Sequence, residues 1–202
     1  MKYSFVLPLL AISLAVPAQE VTPLRAGIIG LDTSHVLEIA GTLNKGPKKP
    51  EDIAKLAGVK VVAAYPQGSK DIVSSTKRVP DYTAKVKALG VEIVDSIEEL
   101  LKRVDVVFLE SNDGRVHLEQ LKPVLAARKP VFIDKPIAGD LADTLRILEA
   151  AKRANVPLFC SSSLRFARTT QAVRRFQREN DLRVTGEVDE RTWDKLRKYR
   201  RG

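Results

Sequence analysis

This 202-residue sequence is short of the residues that usually cross-link chains or bind metals. It contains one cysteine and two histidines, so an internal disulfide is excluded and a cysteine–histidine metal cluster is not predicted. The single thiol, Cys160, lies in the apolar run 156–160. We therefore expect a buried structural thiol, no metal site, and no nucleophilic triad of serine, histidine and aspartate.

Long apolar segments are also scarce. The early run at 5–16 is short for a bilayer span and follows Lys2, and residues 16–18 offer a cleavage site. This pattern is typical of a secretory signal peptide over residues 1–18, with an uncleaved anchor or a buried first strand as the alternatives. We therefore expect an exported chain, periplasmic or extracellular, without membrane contact after cleavage.

The charge is unbalanced, with 34 lysines and arginines against 25 acidic residues and a formal net charge of +9. Much of the excess lies after residue 164. A basic tail can bind nucleic acid, anionic lipid or anionic cell-wall polymer, or it can be a solvated helix face. Because export is predicted, we do not expect nucleic acid as a partner.

Short apolar runs alternate with longer amphipathic stretches between residues 24 and 160. Near-continuous apolar strands are typical of a parallel sheet covered by helices on both faces, and the alternation predicts a doubly wound, Rossmann-like α/β fold. The runs predict strands at 24–29, 59–64, 91–94, 104–109, 130–133 and 156–160. The amphipathic stretches predict helices at 34–43, 82–89, 116–127 and 140–154, with a further one capped by Ser96. In the 140–154 helix, the expected apolar stripe is Leu141, Leu145, Leu148 and Ala151.

The turn after the first strand contains Gly27, Gly30, Asp32, Ser34 and His35. Glycines at such a turn let the pyrophosphate of a dinucleotide approach a helix N-terminus. If Gly30 is the first glycine of that fingerprint, Asp32 and His35 stand where the second and third are expected. The carboxylate of Asp32 would repel phosphate there, so if a dinucleotide binds, this carboxylate must point away from the phosphates or be offset by a cation. Asp32→Gly is then expected to tighten binding. Ser34 is the expected helix cap.

The second strand normally ends in an acidic residue that binds the adenosine ribose. The segment 65–70 has no acid there. Ser69 and Lys70 could favour a 2′-phosphate, or the ribose site could be altered or lost.

The segments 104–117 and 129–136 carry a specific resemblance. They resemble the Gfo/Idh/MocA oxidoreductases, whose fifth strand ends in Glu-Lys-Pro where this chain has Asp134, Lys135 and Pro136. The resemblance covers about 24–167 and implies a domain that binds NAD or NADP. The rest of the chain does not resemble the second domain of that family, so we expect an incomplete substrate domain and little hydride transfer by the chain alone.

The resemblance also implies roles for individual residues. Lys135 falls where nicotinamide and substrate meet, which makes it the candidate catalytic residue. Pro136 would hold a fixed turn that can contain a cis bond. His117 would lie near the cofactor or be a plain surface histidine. The candidate cofactor-binding set is Gly27, Gly30, Asp32, Ser34, His35, Asn112, His117, Asp134, Lys135 and Pro136.

The tail at 168–202 is basic and is expected to be helical. Its segment 169–196 resembles the later part of a peptidoglycan-binding-like domain, with a helix, a Val-Thr-Gly turn, a cap at Asp189 and a second helix. We expect Phe176, Trp193 and Leu196 to pack this tail onto the α/β domain. The alternative function is therefore an exported cell-envelope protein attached to peptidoglycan by its tail. The substrate and the oligomeric state are left open.

Overall fold

A computed structural model describes residues 22–162 and 168–199, so the expected signal peptide lies outside the described residues. The six strands form one parallel sheet in the order β3-β2-β1-β4-β5-β6, which confirms the doubly wound fold. The strands are β1 (Leu24–Ile29), β2 (Val59–Tyr65), β3 (Glu92–Ile93), β4 (Val106–Leu109), β5 (Val131–Asp134) and β6 (Leu158–Ser161).

Helices follow the strands, and two more form the tail. They are α1 (His35–Lys45), α2 (Ile53–Leu56), α3 (Val73–Lys87), α4 (Ile97–Leu101), α5 (His117–Ala126), α6 (Leu141–Ala154), α7 (Arg168–Glu179) and α8 (Glu190–Tyr199). None of the helices in the described ranges is long and apolar enough to cross a membrane.

Hydrophobic residues cover both faces of β1. Ile28 packs in a core cluster with Val36 of α1 and Val86 of α3. The next residue, Ile29, points to the other face and packs in a second cluster with Leu121 of α5. This alternation explains why β1 is apolar along its length, since each of its two faces needs apolar side chains.

Side-chain caps are found at the starts of α4 and α6, whereas α1, α2, α3 and α5 have none. Ser96 accepts a hydrogen bond from the Glu99 backbone N–H, as expected for α4. Ser34 makes no capping bond, so the prediction of its cap was wrong. The hydroxyl of Thr33 accepts from the His35 N–H instead, at 3.1 Å.

Two helices differ from their predicted limits or faces. Helix α3 begins at Val73 instead of at 82, because its first turns are polar and contain an internal proline that hid them from the apolar pattern. Helix α6 buries Ile147 and Ala151. The three leucines predicted for its buried stripe are exposed, at 73%, 52% and 44% for Leu141, Leu145 and Leu148.

The tail is organised around a buried amide. Gln177 is fully buried and accepts hydrogen bonds from the N–H groups of Thr185 and Gly186. Its amide nitrogen donates to Thr192 Oγ1 at the start of α8. Trp193 is 51% exposed, so the expected packing on the α/β domain does not bury this indole.

Candidate functional site

The turn between β1 and α1 requires glycine at position 30 for two reasons. Gly30 has φ +89°, which L side chains rarely adopt. A Cβ there would lie 2.5 Å from the backbone nitrogen of Ser111, in the loop that follows β4. The two loops therefore pass each other at backbone contact.

Three backbone N–H groups follow this turn without a partner. Within the described ranges, those of Asp32, Thr33 and Ser34 make no hydrogen bond to the chain, whereas Gly30 donates to Tyr65 at the end of β2 and Leu31 to Gln67 in the loop after it. Asp32 and Thr33 are buried, and Ser34 is exposed. Unpaired N–H groups at a helix start carry partial positive charge and suit an anion such as phosphate, so the exposed start of α1 at Ser34 is the part of the turn that can face one.

The Asp32 carboxylate points into the protein and away from the expected phosphate position. The residue is fully buried. Its side chain accepts a hydrogen bond from Ser75 Oγ of α3 at 2.6 Å and another from the Asn112 N–H at 2.9 Å. Asp32 thus joins the turn, α3 and the loop after β4, and this structural role explains an acid at a position where a glycine is expected.

Gly27 serves packing rather than the turn. It lies inside β1, and a Cβ there would lie 2.6 Å from Leu100 Cδ2 and 2.9 Å from Val104 Cγ1. The glycine therefore lets α4 approach the sheet.

His117 is fully buried, so its reading as a plain surface histidine was wrong. Its ring nitrogens lie 2.7 Å from the carbonyl oxygen of Ser111 and 3.0 Å from that of Ile137. The imidazole therefore bridges the loops after β4 and β5 and positions them relative to each other.

The end of β5 and the loop after it contain the predicted motif of Asp134, Lys135 and Pro136. The Lys135–Pro136 peptide bond is cis. The Lys135 ammonium is about half exposed and lies 3.5 Å from Asp134 Oδ2. The same oxygen lies 2.7 Å from Nδ1 of His35, at the start of α1. His35, Asp134 and Lys135 therefore meet at the carboxyl edge of β1 and β5.

Glu110, which was not among the residues predicted from the sequence, completes this group. It directly follows β4, is fully buried, and neither carboxylate oxygen has a hydrogen-bond partner in the described chain. Burial, together with the negative charge of Asp134, raises the pKa of Glu110 to about 8, against the opposing effect of Lys135. Its position in the sequence could have identified it. Glu110 follows β4 and Asp134 ends β5, and these two strands are neighbours in the sheet.

An open cleft of about 350 Å³ lies beside these side chains. Its lining includes His35, Glu110 and Asp134 together with Phe132 and Phe159. The two rings lie 5.7 Å apart, and Phe159 is 57% exposed. The cleft therefore brings ionisable groups and aromatic rings together.

A separate charged network joins the loop after β2 to the segment after β4. Ser69 is buried and donates to Asp113 at 2.6 Å. Arg115 binds Asp113 at 2.7 Å and Asp71 at 2.9 Å. The guanidinium and the Ser69 hydroxyl hold the pKa of Asp113 well below its usual range. Lys70 lines the same surface.

The structure brings most of the candidates to one edge of the sheet. Gly30, the Asp32–Ser34 backbone, His35, Asp134 and Lys135 line the region between the α1 start and the loop after β5. Asn112 is exposed and contributes its backbone N–H to Asp32. Gly27 and His117 support this edge from the interior.

Family comparisons agree with this geometry. Residues 24–162 match the model of the Gfo/Idh/MocA oxidoreductase family, described as having an NAD-binding Rossmann fold. Residues 167–196 match a model described as a peptidoglycan binding domain. An inositol 2-dehydrogenase of Gluconacetobacter diazotrophicus is 42% identical over 59 residues, which are 29% of this chain and 18% of that protein.

Solved structures show the same fold. The scyllo-inositol dehydrogenase of Lactobacillus casei, with bound NAD(H) and scyllo-inositol, has a TM-score of 0.54 at 19% identity and covers 79% of this chain. The WlbA dehydrogenase of Chromobacterium violaceum, in complex with NADH and UDP-GlcNAcA, has a TM-score of 0.58 at 20% identity and covers 83%. This chain spans 42% and 43% of those two chains.

Proposed function

Because this chain belongs to the Gfo/Idh/MocA oxidoreductase family through its NAD-binding Rossmann domain, we propose that residues 24–162 bind NAD as part of an oxidoreductase. The observation that carries the proposal is the turn at Gly30. Its positive φ and the unpaired N–H of the exposed Ser34 at the start of α1 support a pyrophosphate at this turn.

In this proposal the nicotinamide ring of NAD lies at the edge formed by His35, Asp134 and Lys135. Bound there, the cofactor would supply hydride transfer. The Lys135 ammonium lies 3.5 Å from Asp134 at this edge, where its charge can stabilise negative charge on a substrate oxygen. His35, oriented by Asp134, faces the same cleft and can exchange a proton with a substrate hydroxyl.

The contacts of the loop after β2 favour binding of NAD over NADP. The Arg115 guanidinium is already paired with Asp71 and Asp113, and Ser69 is bonded to Asp113. A 2′-phosphate would have to compete with these carboxylates for the guanidinium. Lys70 is then the one cation of this loop left to attract the negative charge of the 2′-phosphate, and its attraction alone is weak.

The substrate class we propose is a polyol or a sugar. The relatives named as inositol dehydrogenases and the neighbour crystallised with UDP-GlcNAcA support this class. The chain covers less than half of those solved neighbours, so we expect little turnover from it alone. Robust oxidation of inositol by the purified chain, lost in Lys135→Ala, would contradict that expectation.

Calorimetric titration of the purified chain with NAD and NADP tests the proposal. We expect NAD to bind more tightly, and Gly30→Ala to abolish binding because a Cβ would displace Ser111. Gly90→Ala is the matched control, since Gly90 has φ +80° and open space around its Cα. Equal NAD affinity for both variants would refute the assignment of the turn.

We also propose that the chain is exported and that its tail contacts peptidoglycan. The apolar run after Lys2 and the match of residues 167–196 to a peptidoglycan binding domain support this second function. Mass spectrometry of the expressed protein should show cleavage near Ala18. Retention on insoluble cell wall should fall when 168–202 are deleted, and unchanged retention would argue against wall contact.

A further inference from the structure

The carboxylate of Glu110 lacks the partners that buried charges normally have. It is fully buried, and neither oxygen receives a hydrogen bond from the described chain. A buried carboxylate in this condition is costly unless a proton or a cation compensates it. It also lines the cleft beside two other ionisable groups, His35 and Asp134.

These three residues have the geometry of a ligand set. One imidazole nitrogen of His35 and one carboxylate oxygen from each of Glu110 and Asp134 all lie within 4.8 Å of one another. An ion with bonds of about 2.1 Å holds its ligands no more than about 4.2 Å apart. Because 4.8 Å is the upper limit for every pair, a closure of at most about 0.6 Å brings all three atoms within that span, and rotation of a carboxylate can provide it.

We propose that His35, Glu110 and Asp134 bind one divalent transition-metal cation of the Zn²⁺ or Mn²⁺ type. One imidazole with two carboxylates suits such borderline ions, whereas Ca²⁺ prefers sites made of oxygen ligands alone. The positive charge would compensate the two adjacent acids. It would also give the unpartnered oxygens of Glu110 the interaction that the chain does not supply.

The surroundings of the cluster leave room for this ion. The side-chain hydroxyl of Ser161, which is paired in register with Asp134, is buried, finds no hydrogen-bond partner in the described part of the chain, and lines the cleft. Lys135 is the competing cation, and its 3.5 Å contact with Asp134 at an exposed position lets it move outward. The open side of the cleft leaves positions for water ligands.

Equilibrium dialysis of the untagged chain against Zn²⁺, Mn²⁺ and Ca²⁺, without dinucleotide, tests this proposal separately from the NAD proposal. We expect one Zn²⁺ or Mn²⁺ per chain, a metal-dependent rise in melting temperature, and much weaker Ca²⁺ binding. His35→Gln and Glu110→Gln should each weaken binding by more than about 100-fold, because loss of even an outer partner costs roughly 10- to 100-fold.

Two variants serve as controls. Cys160→Ser should bind metal like the parent chain, which separates the cluster from adventitious binding to the thiol. Glu119→Gln removes an exposed carboxylate of α5 that pairs with Lys122 and should also bind normally. The proposal is overturned if the parent chain binds neither Zn²⁺ nor Mn²⁺, if both cluster variants bind like the parent, or if Cys160→Ser abolishes binding.

Discussion

Glu110→Gln should change how the stability of the chain depends on pH. In the unfolded chain the carboxyl titrates near its ordinary value of 4.5, whereas burial raises the folded pKa to about 8. Between these values the folded state holds a proton that the unfolded state has lost. The stabilisation linked to this proton is complete below pH 4.5 and is lost as the pH rises to about 8.

The size of the effect follows from the pKa difference. Each pH unit inside the window lowers the free energy of unfolding by about 1.4 kcal/mol through this group. Between pH 5 and pH 8 the loss is on the order of 4 kcal/mol. Glutamine has a similar volume and no proton to lose, so Glu110→Gln should not show this loss.

Urea unfolding at pH 5, 6, 7 and 8 in the presence of EDTA measures the effect. The free energy of unfolding of Glu110→Gln minus that of the parent should grow steadily with pH. Other titrating groups are common to both chains and cancel in the difference. Glu119→Gln, at an exposed position, should give a flat difference. A difference for Glu110→Gln that stays flat within about 1 kcal/mol across the window would refute the reasoning.

Further predictions concern the turn between β1 and α1, the loop after β2 and the tail. The structure reverses the sequence-based expectation for Asp32: because its carboxylate is the buried acceptor of Ser75, Asp32→Gly should lower the free energy of unfolding by roughly 1–3 kcal/mol in urea and weaken NAD binding; tighter NAD binding would contradict this. Asp71→Asn should raise NADP affinity relative to NAD by roughly two- to fivefold in calorimetry, because Arg115 loses an exposed competing carboxylate. Gln177→Leu should speed amide hydrogen exchange in α7 and α8 and leave the sheet unchanged; equal protection in the tail would argue against the buried amide as its organiser.

The sheet was predictable because burial on both faces leaves a direct trace in the sequence. The apolar runs predicted both ends of β1 correctly and the ends of the other strands to within about two residues. The face of α6 was not predictable in the same way. Its sequence offers apolar residues on two sides, and only the packing against the sheet selects Ile147 and Ala151 over the leucines.

The candidate site was predictable in position but not in its chemistry. Strand ends located Asp134 and Lys135, and the turn located Gly30 and His35. The direction of the Asp32 side chain depends on Ser75 and on the loop after β4, which lie 43 and 80 residues away. Such distant partners leave no local pattern. The isolation of Glu110 is also a property of packing, and it appears only when burial and hydrogen bonds are known.

The contact between His35 and Asp134 has a consequence for folding. It joins residues separated by 99 positions, and it forms only when β1, β4 and β5 are aligned side by side. A contact of this range closes late, since the entropy of a long loop is lost before the contact compensates it. In partly folded chains His35 and Asp134 are therefore still apart. A ligand that needs both residues binds only chains whose central strands are fully assembled.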